Sequence, residues 1–208
     1  MKGKFVTFEG GEGVGKTTQL AMIKKYLSEE GKDAVFLREP GGNAVSERIR
    51  AVILDRQNAD MTGMCEALLY SASRAQLVES VIRPALEEGK IVVCDRFTDS
   101  TFAYQGVARG LGADKIDMLN SLACGDIVPD LTVFLDLPPQ QAFERKGGAD
   151  KDDRLEQEGM EFHKKVYQGY KLALQKYPDR IVDVDCSKDA DSVHRQIVRI
   201  FKERGIVE

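Results

Sequence analysis

Residues 10–17 read Gly-Gly-Glu-Gly-Val-Gly-Lys-Thr, directly behind an apolar run at residues 4–9. No other feature narrows the possible folds as far. Gly10, Gly15, Lys16 and Thr17 fit the pattern G-x-x-x-x-G-K-[ST]. Its glycines permit backbone angles that turn several N–H groups toward one anion. The helix expected from Lys16 onward adds the positive end of its dipole. The pattern assigns Gly10, Gly11, Glu12, Gly13, Val14, Gly15, Lys16, Thr17 and Thr18 to a cradle for the phosphates of ATP. Lys16 reaches the β- and γ-phosphates, and the Thr17 hydroxyl holds Mg²⁺. By average composition, a chance match in a chain this long has odds of roughly 1 in 100. A strand before the loop and a helix after it lower those odds further. The alternative is a glycine-rich turn with no ligand.

The rest of the chain supplies the sheet that such a loop needs. Short apolar runs at residues 4–9, 33–38, 91–94, 131–135 and 180–184 alternate with helical patterns. The helical patterns cover residues 16–30, 44–54, 64–88, 98–109, 114–123, 139–146, 160–176 and 188–203. Pro84 is expected to bend or break the longest of them. The runs are near-continuously apolar, as strands covered on both faces are. The resulting expectation is an α/β fold: a three-layer α/β/α arrangement around a five-stranded parallel sheet, with residues 1–208 as one domain. Gly147-Gly148 opens a polar, charge-dense segment that runs to about Gly159.

Composition excludes several classes. The 208 residues can bury a sizeable core, and a 42% hydrophobic, 31% charged make-up is that of a folded globular protein. A net charge of −4 argues against a general nucleic-acid or anionic-membrane binder. No run approaches the ~18 apolar residues of a membrane span, and the N-terminus lacks the apolar core of a signal peptide. The protein is expected in the cytoplasm. Cys65, Cys94, Cys124 and Cys186 have no metal-ligand spacing and read as small buried hydrophobes in a reducing compartment.

Ligands of parallel α/β sheets sit at the carboxyl ends of the strands. Arg38-Glu39-Pro40-Gly41-Gly42 follows the second strand, and Asp95-Arg96-Phe97, Ser100 and Tyr104-Gln105 follow the third. Tyr70 and Arg74 lie four residues apart on one helical face. Arginines bind phosphate bidentately, aromatics stack on a flat base, and amides or arginines read base edges. Together these residues suggest a nucleoside monophosphate as second substrate. Each has a plainer reading: Arg74 as an exposed helix residue, Tyr70 as core, Arg96 as a partner for a carboxylate. Asp95 stands where such proteins keep an acidic group near Mg²⁺, with an ion pair to Arg96 or a helix cap as its alternative.

The segments Phe8 to Gln19, Arg38-Glu39-Pro40-Gly41-Gly42, Leu69-Tyr70-Ser71-Ala72-Ser73-Arg74, Asp95-Arg96-Phe97 and Asp153-Arg154-Leu155-Glu156 resemble bacterial thymidylate kinases along nearly the whole chain. The resemblance implies transfer of the γ-phosphoryl group of ATP to dTMP, giving dTDP in the biosynthesis of dTTP, and a homodimer. It implies that Tyr70 stacks on thymine and Arg74 bonds its edge. Arg38 and Arg96 lie near the acceptor phosphate, and Ser100, Tyr104 and Gln105 lie in the dTMP site beside sugar and base. Glu12 touches the 3′-hydroxyl region, and Asp95, with Thr17, lies at Mg²⁺. Some relatives carry an arginine after the acidic loop residue, where this chain has Gly13. The missing cation is then expected from a lid at residues 147–159, as Arg154 or, from just before it, Arg145; Lys151 is a further basic side chain there. The catalytic set implied is Lys16, Arg154, Arg145, Glu12 and Asp95.

Two other readings differ in consequence. One is a kinase for another nucleoside monophosphate. The other is a regulatory P-loop protein, against which stand the arginine–aromatic cluster and the lack of an Asn-Lys-x-Asp guanine-reading segment. Apolar helix faces around residues 44–82 could form the dimer interface or the monomer core.

Overall fold

The central strand is the one that carries the glycine-rich loop. The computed structural model describes residues 3–146, 155 and 158–207. Five strands, β1 (Lys4–Glu9), β2 (Ala34–Arg38), β3 (Ile91–Asp95), β4 (Leu131–Asp136) and β5 (Ile181–Asp185), form a parallel sheet in the order β2-β3-β1-β4-β5. β1 has β3 on one side and β4 on the other, with Val6 opposite Val93 and Leu131. Chain direction away from the centre reverses at β1, so a crevice opens at its carboxyl end. The loop at residues 10–15 occupies that crevice.

Helices α1 (Lys16–Glu29) and α9 (Ala190–Glu203) cover one face of the sheet. There Val6 and Phe8 pack with Ile23, Leu27, Ile197 and Phe201. Phe5, Val92 and Cys94 point to the other face and meet Leu77, Ile82 and Phe97. A further cluster joins Phe134 of β4 to Phe102, Ile116 and Tyr170. Helices α2 (Ala44–Leu54), α6 (Ala113–Cys124), α7 (Pro139–Lys146) and α8 (Met160–Lys176) follow the expected spans closely.

Two helices depart from expectation. The stretch at residues 64–88 is α3 (Gly63–Leu77), then a π-helical turn at Val78–Ile82, then α4 (Arg83–Glu87). Pro84 enters in the first turn of α4. Its ring cannot accept the carbonyl four residues back in a regular helix, and the wider turn ahead of it takes up the misfit. Beyond β3, α5 (Thr98–Thr101) widens at once into a π-helix at Phe102–Ala108. π-helical turns inside helices often mark functional sites. This one packs closely on α8, where a Cβ on Gly169 would come within 2.7 Å of Ala103 Cα.

The cysteines divide. Cys94, Cys124 and Cys186 are buried free thiols, as expected, whereas Cys65 is exposed on the first turn of α3. Residues 44–82 also divide: Val45, Val52, Met64 and Leu68 are exposed while Ile53, Ala67 and Leu77 are core. Among the described residues no helix is long and apolar enough to cross a membrane.

Candidate active site

Gly10 adopts φ +142°, and a Cβ there would lie 2.9 Å from Leu135 O. The loop therefore lies tight on the end of β4 and only glycine fits. Gly15 caps α1 in the left-handed region with φ +95°. Lys16 Nζ donates to Gly10 O at 3.1 Å and Gly11 O at 2.8 Å, which holds the ammonium over the loop. Burial pulls its pKa below the usual lysine range, and Arg96 adds to that; Glu12, Asp95 and Glu9 oppose it.

Next to the loop lies a cleft of about 520 Å³. Its wall includes Arg38, Tyr70, Arg74, Arg96, Ser100, Tyr104 and Gln105, the seven residues expected around the second substrate. Residues 12–18 of the loop, Asp95 and Arg145 line the same cleft. Arg154 and Lys151 lie outside the described residues.

Arg96 stands at the centre. It has φ +68° and is the non-glycine residue in the left-handed region among the described residues. A bulky side chain there is strained, and such strain concentrates at functional sites. The surroundings hold it firmly. Nη1 donates to Gly10 O at 3.0 Å, Tyr170 OH at 3.0 Å and Ser100 Oγ at 3.3 Å, while Nη2 meets Glu12 Oε1 at 2.6 Å. The guanidinium also lies over the Tyr104 ring, 5.3 Å from its centroid. Arg96 thus has its carboxylate partner, but the partner is Glu12 of the loop rather than Asp95.

Arg74 is buried, which excludes its reading as an exposed helix residue. It bonds Glu39 through Nε, Asn120 Oδ1 at 2.8 Å through Nη1 and Thr101 Oγ1 at 3.0 Å through Nη2. Phe97 lies beneath it, 5.0 Å from centroid to guanidinium carbon. Arg38, by contrast, is half exposed and reaches Glu47 Oε2 at 3.0 Å and Pro40 O at 2.8 Å. Gln105 Nε2 donates to Glu66 Oε1 at 2.7 Å, which leaves its carbonyl oxygen turned away from Glu66. Tyr104 OH is buried without a hydrogen-bond partner among the described residues. A phenol left unpaired beside a cleft has its bonding capacity free for a ligand.

Asp95 ends β3, and its buried Oδ1 likewise has no hydrogen-bond partner among the described residues. An unpaired carboxylate oxygen in the cleft that Thr17 also lines is a fitting donor for Mg²⁺, which binds through one or two protein oxygens plus phosphates and water. Among the described residues no group of three or more acidic, histidine or cysteine side chains is placed to hold a metal ion.

Several site residues escaped the sequence reading. Thr101 and Asn120 complete the bonding of Arg74. Glu9 accepts from Phe97 N, Ser100 N, Ser100 Oγ and Tyr170 OH. His163 of α8 lines the cleft with its Nε2 unpaired, and burial lowers its pKa. Thr101 adjoins Ser100 in sequence and could have been suspected. Tyr170 and Asn120 lie on helices far along the chain and carry no local signal.

The thymidylate kinase family model matches residues 8–197. A thymidylate kinase of Thermoanaerobacter sp. (strain X514) is 46% identical over 203 residues, covering 98% of this chain and 99% of that protein. One from Caldanaerobacter subterraneus subsp. tengcongensis is also 46% identical over 203 residues, covering 98% and 97%. The crystal structure of thymidylate kinase from Ehrlichia chaffeensis aligns with a TM-score of 0.80 at 32% identity, covering 97% of this chain and 100% of that one. The chain belongs to the thymidylate kinase family of phosphotransferases.

Proposed function

We propose that the protein transfers the γ-phosphoryl group of ATP to dTMP, giving dTDP and ADP, as a step toward dTTP. The observation that carries this reading is the single cleft in which the phosphate loop meets Arg38, Arg96, Tyr70 and Arg74. The loop and Lys16 bind the donor phosphates. Arg96 and Arg38 bind the acceptor phosphate, Tyr70 stacks on the base, and Arg74 with Thr101 addresses its edge. Tyr104 and Gln105 flank sugar and base, and Glu12 approaches the 3′-hydroxyl.

The acceptor phosphate is already a nucleophile, so positioning and charge stabilisation carry the reaction and no strong general base is required. Thr17 and Asp95 would hold Mg²⁺, which when bound screens and orients the donor phosphates. Arg154 or Arg145 supplies a further cation, and residues 147–159 act as a lid that excludes water from the transfer. The enzyme works as a homodimer in the cytoplasm, with exposed Val45, Val52, Met64 and Leu68 in its interface.

A coupled assay with ATP and Mg²⁺, run side by side on dTMP, dUMP, dCMP and dAMP, tests the reading. Turnover is expected to be highest with dTMP and to vanish in Lys16→Ala without loss of fold. Preference for another acceptor overturns the substrate, and near-normal turnover in Lys16→Ala overturns the site.

A further inference from the structure

Glu9 is the last residue of β1, fully buried beneath the loop. A carboxylate so placed is costly unless its oxygens are satisfied. Here they are used fully. Oε1 accepts from the backbone N–H of Phe97 at 2.7 Å and of Ser100 at 3.3 Å. Oε2 accepts from Ser100 Oγ at 2.6 Å and Tyr170 OH at 3.1 Å. Those two hydroxyls lie 2.8 Å apart, and both accept from Arg96 Nη1.

Each hydroxyl has one proton to give. Either both give theirs to Glu9, or one hydroxyl gives to the other and that one to Glu9. With Glu9 ionised, both arrangements end the proton chain on the carboxylate, and hydroxyl lone pairs are left facing the guanidinium. The N–H bonds meanwhile pin the turn that contains Arg96 in its left-handed conformation.

We propose that Glu9 is a positioning residue for the acceptor phosphate. It orients the Ser100 and Tyr170 hydroxyls as acceptors and so fixes the Arg96 guanidinium in the cleft. This rests on the proposed role of Arg96 toward dTMP. A glutamine at position 9 keeps the volume and can still accept from the two N–H groups. Its amide N–H₂ would now donate to the hydroxyls, which must then release their own protons elsewhere and lose capacity for Arg96.

The test combines nitrogen-15 NMR of arginine side chains with steady-state kinetics on wild type and Glu9→Gln, both at a pH well above the value of about 7 to which burial raises Glu9, the Arg96 signals being assigned by their loss in Arg96→Lys. In the free wild-type protein, Arg96 is expected to show slow guanidinium rotation with resolved Nη signals. In Glu9→Gln those signals average. The KM for dTMP rises tenfold or more, and the KM for ATP stays within twofold. Unchanged Arg96 signals in a folded Glu9→Gln protein overturn the proposal, as does an equal rise in both KM values, which marks a general disturbance of the loop. Should Glu9→Gln not fold, Tyr170→Phe removes one hydroxyl relay alone, and resolved Arg96 signals with unchanged dTMP KM there overturn the proposal equally. If the wild type does not phosphorylate dTMP, the functional reading fails, and the NMR comparison still decides the role of Glu9.

Discussion

Arg74 of α3 and Glu39, just beyond β2, form an ion pair closed to solvent. The Nε and Nη2 atoms lie 2.8 and 2.7 Å from Glu39 Oε2, and the side chains are 1% and 3% exposed. The pair ties the helix that bears Tyr70 to the end of β2, which bears Arg38. Burial raises the Glu39 pKa while Arg74 holds it down. Removing one partner of such a pair strands the other charge, at a cost of about 3–5 kcal/mol, whereas replacing both with apolar groups of similar size costs far less. Glu39→Ala should therefore lose about 3–5 kcal/mol in urea unfolding. The double variant Glu39→Leu with Arg74→Met should recover most of that stability and still bind dTMP poorly. A double variant no more stable than Glu39→Ala would show that the packing around the pair, rather than its charge, sets the cost.

Tyr70 lines the cleft, where its ring is proposed to stack on the base. If the ring acts by stacking, the hydroxyl is dispensable and the aromatic face is not. Base–aromatic stacking is worth about 1–3 kcal/mol. Tyr70→Phe is expected to keep the KM for dTMP within about threefold. Tyr70→Ala is expected to raise it by roughly 5- to 150-fold, the equivalent of that energy. Equal losses in both variants would assign the effect to the hydroxyl.

Glu9 also makes stability depend on pH. Burial, with Asp99 adding to it, pushes its carboxyl from an ordinary 4.5 up to about 7, against the pull of Ser100, Arg96 and the Phe97 N–H. Between those values the folded chain keeps a proton that the unfolded chain has released. Stability from this group is thus fully present below 4.5 and is lost as pH rises through about 7. The loss is on the order of 3 kcal/mol. Lys16, Arg74, Arg180, Tyr104 and Tyr170 also face this carboxyl. Their own titration largely cancels in the difference between wild type and Glu9→Gln. The wild-type-minus-variant stability, from urea unfolding at successive pH values, should fall across that window. A flat difference would place the ordinary carboxyl value in the folded protein.

The sheet was legible because parallel strands covered on both faces leave near-continuous apolar runs such as Ile91 to Cys94. The site was legible where function imposes a local pattern, as at residues 10–17 and Asp95-Arg96-Phe97. What the sequence hid depends on contacts between distant segments. Tyr170 reaches Glu9 across 161 residues and Asn120 reaches Arg74 across 46, and nothing near either residue marks the partner. Glu9 itself reads as the end of an apolar strand. Its role emerges only once the turn after β3 folds over it. The π-helical segments at residues 78–82 and 102–108 were invisible for a related reason, because apolar periodicity over one or two turns does not distinguish 3.6 residues per turn from a locally wider winding.

The two candidates for the missing loop cation now stand apart. Arg145, near the end of α7, donates through Nη1 to Cys186 O at 2.8 Å and through Nη2 to Ser187 O at 3.4 Å, at the end of β5. Besides the main cleft, it lines a second pocket of about 430 Å³ with Gly15, Thr18 and Lys188. Bonds to fixed carbonyls suit a side chain that shapes a binding wall. They do not suit one that must follow charge onto a phosphoryl group in flight. Arg154 lies outside the described residues; under the proposed division of roles it would take the transfer step. Arg145→Ala should therefore raise the KM for ATP with kcat within a few fold, the pattern of lost ground-state binding. Arg154→Ala should instead lower kcat by at least about 10²-fold with the KM for ATP nearly unchanged, the pattern of a contact made in the transition state. Exchange of the two patterns between the variants would make Arg145 the catalytic cation and leave Arg154 a surface charge.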